Sequence, residues 1–590
     1  MINKRIIFIF LLTTIAIGTL SAVNASDTSA DMTNSSYALQ KLDESIDLSE
    51  DTPLESSKFR TFTELQNQIN NAPKDSTIYL TDDYHYTTDF KSRNGITITK
   101  SITIDGKGHA IDGMVDSPLL LINKADNVVL KNIVFQKGYN EYSGIVSAIY
   151  SNNIRFENCK FIDNEADTGT VFLGGNNYTS FVNCIFEENY AYGMGGAVYM
   201  AQNRYPSFVN CHFYLNEALS GGAIYSRGNY RPSFELCCFE GNSADDGGAI
   251  LSNRDESPLY AECKFLDNAC EYYGGAIYLT ENNETAFNSC NFSGNYGYYG
   301  GTLSANNTDI YINFCNFAAN TGYNGTCIFS QESNVHCRGS FFNTSDMANI
   351  GGAICSIHSA LDIADCKFSE NFAFYAGGDI YSKYGMVFLE NNTFYNSTCL
   401  GFGGSLCFND DYVQLKNCIF DECTSLIDGG GAIYCLNSVL YSHSCEYVNC
   451  NSDFGGAVCS LNTELEIKDR RFVNNSAFYS GGSLYTIYGS LSLDNSTFLL
   501  SSSQNGGAAY IRSPQKINNI TNNRFLYSSA KKGSKIYVDE YYGDIPQSGN
   551  DKLKVALNSH RWCENSMVDC FNLLNHAWAL SLFIDETPIQ

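Results

Sequence analysis

Twenty-three cysteines, 63 acidic side chains and only eight histidines bound the chemistry open to this 590-residue chain. Acidic pairs stand at Asp82-Asp83, Asp245-Asp246 and Asp410-Asp411, and Asn307-Thr308-Asp309 superficially matches one polygalacturonase motif. Paired carboxylates are what glycoside hydrolysis needs, and a carboxylate cluster holding calcium beside an Arg or Lys base is what an acidic-glycan lyase needs. None of these pairs has a Gly-His-Gly or a catalytic arginine context, and the histidines are scattered singly. An acidic doublet also reads as an ordinary solvated turn. No Walker loop, nucleophile elbow or zinc-type spacing is present, and Cys237-Cys238 has no histidine at metal spacing. The expectation is no catalytic residue, no metal and no cofactor.

A binding function has a better candidate. The segment Gly221-Gly222-Ala223-Ile224-Tyr225 recurs in variants that begin at Gly195, Gly247, Gly274, Gly300, Gly351, Gly377, Gly403, Gly430, Gly455, Gly481 and Gly506. In a strand, Ala and Tyr share the face opposite the aliphatic residue between them. Tyr199, Tyr225, Tyr278, Tyr381, Tyr434, Tyr485 and Tyr510 are therefore expected to line one exposed sheet. Aromatic faces with hydroxyl handles suit stacking on sugars or gripping a protein partner. The same column could instead serve only cross-strand stacking, or face inward.

The elements that must hold this column follow from its period. Copies recur every 24 to 27 residues over about 390 residues, with weaker ones at Ser143-Gly144, Gly169-Thr170, Asn324-Gly325 and Lys532-Gly533. A period so regular means one small unit stacked on itself. Superposed copies give an aromatic column from Phe161 to Phe525. A cysteine column from Cys159 to Cys445 lies two residues before it, and an asparagine column from Asn164 to Asn475 three residues after it. Cys211 and Phe213, two apart, share a strand face, whereas Phe208 and Cys211, three apart, require a bend between them. Three short strands and three bends then make one coil of about 26 residues in an all-β parallel β-helix. Stacked at roughly 4.8 Å, about fifteen intervals give a rod on the order of 70 Å. The cysteine columns read as buried small hydrophobes, although neighbouring thiols could bridge. Cys355, Cys407 and Cys459, at the tyrosine position, could face outward.

Upstream, Phe62, Leu65 and Ile69 fall at helical spacing, with Thr61 as N-cap and Glu64 three residues on. A short helix there would cover the open edge of the stack. Strand-like runs follow at Ser76 to Leu80, Ile96 to Thr99, Ile102 to Ile104, Leu119 to Ile122 and Val128 to Phe135. The expected organisation is a signal peptide (1–25), a flexible linker (26–58), a cap with the first irregular coils (59–142), regular repeats (143–538) and a tail or cap (539–590). Lys4 and Arg5, the apolar stretch Ile6 to Leu20 and Val23-Asn24-Ala25 before Ser26 make the signal; an uncleaved membrane anchor is the rival reading. No second apolar run long enough to span a bilayer follows, so a secreted or cell-surface location is expected. A net charge of −27 argues against a nucleic-acid partner. Acceptor sequons recur at Asn177, Asn283, Asn291, Asn324, Asn343, Asn396, Asn474 and Asn495, as chance alone allows in a chain rich in Asn, Ser and Thr.

The motif pair F-x-x-N (Phe161-Ile162-Asp163-Asn164, Phe186-Glu187-Glu188-Asn189) and G-G-A-I resembles the passenger repeats of chlamydial polymorphic membrane proteins. The denser pattern N-C-x-F-x-x-N…G-G-A-I-Y is similar to the adhesin-like surface proteins of methanogenic archaea. The resemblance covers roughly residues 60 to 535. It implies a right-handed helix and an adhesive role toward host or neighbouring cells, glycans or matrix. The final 50 residues are too few for the membrane barrel that ends an autotransporter. The rival expectation is a polysaccharide lyase or glycoside hydrolase of the same fold, since fold does not fix function.

Overall fold

A computed structural model of the chain describes residues 59–343, 348–541, 545–548 and 556–558. One coil shows how the sequence folds. Strand Ser207–Val209 is followed by His212–Tyr214 and then by Ile224–Arg227. Between them the backbone turns at residues with positive φ: Asn210 at 51°, Leu215 at 52°, Gly221 at 63° and Gly228 at 61°. The bend at Asn210 is the one that the three-residue step from Phe208 to Cys211 requires. Every pairing to the next coil is parallel, and the ladders keep register except at a few bulges such as that between Leu491 and Ser492. Phe181, Phe208 and Phe234 align in the first sheet, Phe186, Phe213 and Phe239 in the second, and Val198, Ile224 and Ile250 in the third. Each of the three sheets has 19 strands. The described residues form an all-β parallel β-solenoid with one short N-terminal helix. Eighteen intervals make a stack on the order of 85 Å, because the irregular first coils join the same sheets.

Inside, like residues stack on like. Sixteen aromatic rings from Phe135 to Phe525, with Tyr447 among them, form one continuous column; neighbouring rings such as Phe186–Phe213 and Phe498–Phe525 are 4.6 and 5.1 Å apart. The aliphatic residues of the Gly-Gly strands, from Val198 to Leu484, point into this core as expected. The cysteine column, from Cys159 to Cys445, is buried beside it. Asparagines form the ladder that the sequence suggested: Asn189 donates Nδ2–H to Asn216 Oδ1 at 2.9 Å and to the Phe161 carbonyl at 2.9 Å. Such head-to-tail amide bonds satisfy polar groups that burial would otherwise penalise. A second ladder, unrecognised in the sequence, runs through Asn176, Asn203, Asn229 and Asp255 between the third and first sheets.

The glycine pair has two separate reasons. Gly221 supplies the positive φ, and Gly222 lets coils approach, since a Cβ there would lie 2.2 Å from the Gly248 carbonyl oxygen.

The N-terminal helix, Phe62–Asn71, starts at Thr61 through the expected capping box with Glu64 and buries Phe62, Leu65 and Ile69. Its Gln66 side chain donates to the Thr97 carbonyl at 3.0 Å and accepts from the Thr97 N–H at 2.7 Å. One amide thereby stands in for the missing neighbour of edge strand Ile96–Ile98. The expected run Val128 to Phe135 is two strands, Val129–Lys131 and Val134–Gln136, because Asn132 turns the chain at φ 55°.

The expected signal peptide and linker lie outside the described residues, as does most of 539–590. Within that tail, Gln547–Ser548 pairs with Ile520–Thr521 and Ala556–Asn558 pairs with Tyr537–Asp539. The residue pattern lapses after Asp539, but strand pairing continues past it. Among the described residues no helix is long and apolar enough to cross a membrane.

Candidate functional site: an exposed aromatic ridge

The tyrosine column does not form the exposed sheet that alternation suggested. Tyr225, Tyr381, Tyr434, Tyr485 and Tyr510 are buried, while Tyr199 and Tyr278 are half-buried. Alternation placed them correctly outside the solenoid core but could not reveal a second hydrophobic layer covering them. Residues just before each Gly-Gly pair fold over the column: Phe402 packs on Tyr434 with ring centroids 4.5 Å apart, and Phe454 on Tyr485 at 5.1 Å. Cys355, Cys407 and Cys459 alternate with the tyrosines in this layer and are buried too, so the outward-facing expectation fails for them also. Burial pushes these three thiols upward, keeping them protonated and hydrophobe-like.

The covering segment is itself a fourth sheet. It has three strands at Tyr139–Asn140, Glu165–Thr168 and Tyr190–Met194, then ten more between Ser243 and Ser480. Its inner positions, such as Ala373 and Cys399, are fully buried. Its outer positions carry the aromatic ladder of the molecule. Parallel registers Gly297↔Gly322 and Tyr190↔Glu217 put Tyr298 beside Tyr323 and Tyr192 beside Leu219. Farther along, Phe374, Leu400, Leu426, Asp453 and Phe478 occupy the same row. Tyr298 and Tyr323 stack at 4.7 Å with 38% and 42% exposure, and Phe478 reaches 62%. Tyr272, Tyr296 and Tyr375 flank the row and are exposed as well. Asp245, Glu271 and Asp453 lie in it, and the Tyr192 hydroxyl bonds to Glu165.

The sequence carried a sign of this ridge in Tyr190-Ala191-Tyr192, Tyr296-Gly297-Tyr298-Tyr299, Phe372-Ala373-Phe374-Tyr375 and Ala477-Phe478-Tyr479. All begin within two residues of the asparagine column. Exposed aromatic and aliphatic rungs, here interleaved with acidic ones, are what interaction surfaces commonly present. Rings with one polar tip are suited to a ligand that is part apolar and part hydroxylated.

In each acidic doublet at least one carboxylate is drawn into a structural contact, Asp246 by accepting from the Tyr273 N–H at 3.3 Å. Asp82 pairs with Arg60 at 2.9 Å, and Asp83 accepts from the Ala110 N–H at 2.9 Å. Asp411 is buried, accepts from the backbone of Gly385 and Asn409, and is pushed up to about 7 by burial. Asp309 accepts from Asn334 Nδ2 at 2.6 Å. A different cluster converges on the outer face of the first sheet. His336 stacks on Tyr311 at 4.9 Å, and its Nδ1 lies 3.3 Å from the Asp362 carboxylate, which Arg338 also contacts at 2.5 Å. Burial works to raise the Asp362 carboxyl, but Arg338 and His336 outweigh it and hold the group below its ordinary range.

Comparison with known proteins adds the hand of the coil. The model of the family described as "Right handed beta helix region" matches residues 66–248. A metabotropic glutamate receptor-like protein R of Dictyostelium discoideum is 26% identical over 160 residues, which is 26% of this chain and 10% of that protein. The chain thus spans about a tenth of the length of the curated relative it matches. Among solved structures, a PL6 family alginate lyase, AlyGC, is 10% identical with a TM-score of 0.24, covering 85% of this chain and 97% of its own. The alginate lyase AlyF-OU02 gives 10% and 0.23, covering 58% and 84%, and the catalytic domain of a GH87 alpha-1,3-glucanase gives 11% and 0.18, covering 71% and 68%. No activity is drawn from likenesses at this level. Over residues 66–248 this chain is thus similar to right-handed β-helix regions.

Proposed function

We propose that this protein is an extracellular, adhesin-like rod that binds cells, glycans or matrix through the aromatic ridge of its fourth sheet. The observation that carries this reading is the exposed row of Tyr192, Tyr298, Tyr323, Phe374 and Phe478. Its interleaved carboxylates and the net charge of −27 favour a neutral glycan or a basic protein surface and disfavour a polyanion. Purified rod is incubated with immobilised neutral and acidic glycans, matrix protein and cells, and retention is measured. Retention by the neutral or protein surface, lost when Tyr298, Tyr323 and Phe374 become Ser, supports the reading. Retention untouched by that triple change sinks it.

One observation favours a second reading, a carbohydrate-active enzyme: the meeting of Tyr311, His336, Arg338 and Asp362 on one exposed face. In that reading Asp362 holds Arg338 in place, and His336 or Tyr311 moves the proton. The same incubation, assayed for new unsaturated or reducing ends, tests it. Cleavage that His336→Ala abolishes would establish the enzyme reading over the adhesive one.

A further inference from the structure

We propose that His212, Cys238 and Glu240 form a binding site for one divalent transition-metal ion of the zinc class, on the solvent face of the second sheet. Cys238 and Glu240, two apart on strand Cys238–Glu240, point the same way, and in-register pairing sets His212 beside Cys238. Their ligand atoms all lie within 4.8 Å of one another. His212 Nε2 stands 3.3 Å from Glu240 Oε2, yet that nitrogen is shut off from solvent and makes no hydrogen bond. A ring nitrogen closed off from solvent, beside a thiol and at ion-pair distance from a carboxylate when protonated, can in its neutral form share a metal cation with both.

Cys238 is also exceptional among its kind. Of the 21 described cysteines it alone is not buried. Other coils place Ile185, Lys264, Asn291, Asn316 and Lys367 at its position, so a thiol here serves no packing need.

Thiolate, imidazole and carboxylate together favour zinc or cobalt over calcium or magnesium, whose ligands are oxygens. Metal–ligand bonds of about 2.0–2.3 Å require these side chains to draw in by roughly 1 Å, a rotamer adjustment open to half-exposed groups. Lys264, next to Cys238 along the row, is exposed and free to swing into solvent. Three protein ligands leave a fourth tetrahedral position for water or an external donor atom, as at catalytic rather than structural zinc sites.

The test is titration of the reduced full chain with Co(II) and with Zn(II), in a background carrying Cys563→Ser and Cys570→Ser. The expected result is one equivalent bound, with a near-ultraviolet thiolate-to-cobalt band that Cys238→Ser abolishes. His212→Ala should weaken binding at least ~100-fold, more than the ~10–100-fold typical of changes behind a ligand. Glu240→Gln, which preserves shape, should weaken binding without altering the melting temperature of the metal-free chain. Absence of stoichiometric binding, or binding unchanged by Cys238→Ser, overturns the proposal.

Discussion

Replacing Asp379 by Asn isolates one buried carboxyl and makes its effect measurable as a function of pH. Asp379 stands where most coils have Ala after Gly-Gly, and it is fully buried. Its place is explained by a gap in the asparagine ladder. The next coil has Ser397 instead of Asn, so Asn371 Nδ2 turns to Asp379 Oδ1 at 2.8 Å, while Ser405 donates to Oδ2 at 2.7 Å. Burial pushes the carboxyl from 3.8 up to about 7, against the lowering effect of Ser397, Ser405 and Asn371. Between pH ~4 and ~7 the folded state therefore holds a proton that the unfolded state has released. Stability from this group falls as pH rises through that window and levels off above it. A shift of about 3 units corresponds to about 4 kcal/mol. Asn cannot ionise, so the stability of Asp379→Asn relative to the parent should be near zero at pH 4. It should climb by about 4 kcal/mol toward pH 8. Subtracting the parent removes the background titration of the other acids. Because repeats open locally, hydrogen exchange at Ile380–Lys383, corrected for intrinsic rates, is the suitable assay. A difference that stays flat with pH would refute the reasoning, since it would mean Asp379 titrates alike in both states.

Four further outcomes are expected. Tyr298→Ser, Tyr323→Ser and Phe374→Ser together should lower ligand or cell retention at least ~10-fold while leaving thermal stability nearly unchanged, because all three side chains are exposed. Tyr434→Ala, inside the covered layer, should instead cost about 3–5 kcal/mol in denaturant unfolding. Gly222→Ala should destabilise by about 3 kcal/mol, since its Cβ meets the Gly248 oxygen, whereas Gly228→Ala, with open space around it, should cost only ~1 kcal/mol for its positive φ. In chelator, mass-spectrometric mapping of alkylated peptides should find Cys238 labelled before any other described cysteine; earlier labelling of Cys290 would contradict the packed core.

The coil itself could be read from sequence because its determinants are local and repeat. Thr61 and Glu64 sit three apart, and Cys211 and Phe213 two apart, so helix cap and strand face follow from counting. What counting could not supply was contact between segments of different phase. The burial of Tyr434 depends on Phe402, from the preceding coil's outer segment, and no periodicity links the two. The ridge was hidden in the stretch between the asparagine column and the Gly-Gly pair. There the composition drifts from Tyr298 to Asn349 to Phe374, and only strand register shows that they form one row. His212 and Cys238 escaped for a related reason. Metal motifs are sought within a few residues, whereas here the spacing is one full turn of the solenoid.

The in-register stacking of the coils has a consequence for how such a chain can change over time. Each coil offers its neighbour above the same surface that it meets below, as the unbroken run from Phe135 to Phe525 makes plain. A tandem duplication or loss of one unit of coding sequence therefore closes without creating any new kind of junction. Each such event lengthens or shortens the ridge by one rung. On the adhesive reading proposed above, the number of simultaneous grips would change with it, and avidity changes steeply with that number. Recombination between units that share the same columns is thus a means of changing the number of rungs without a new kind of core contact.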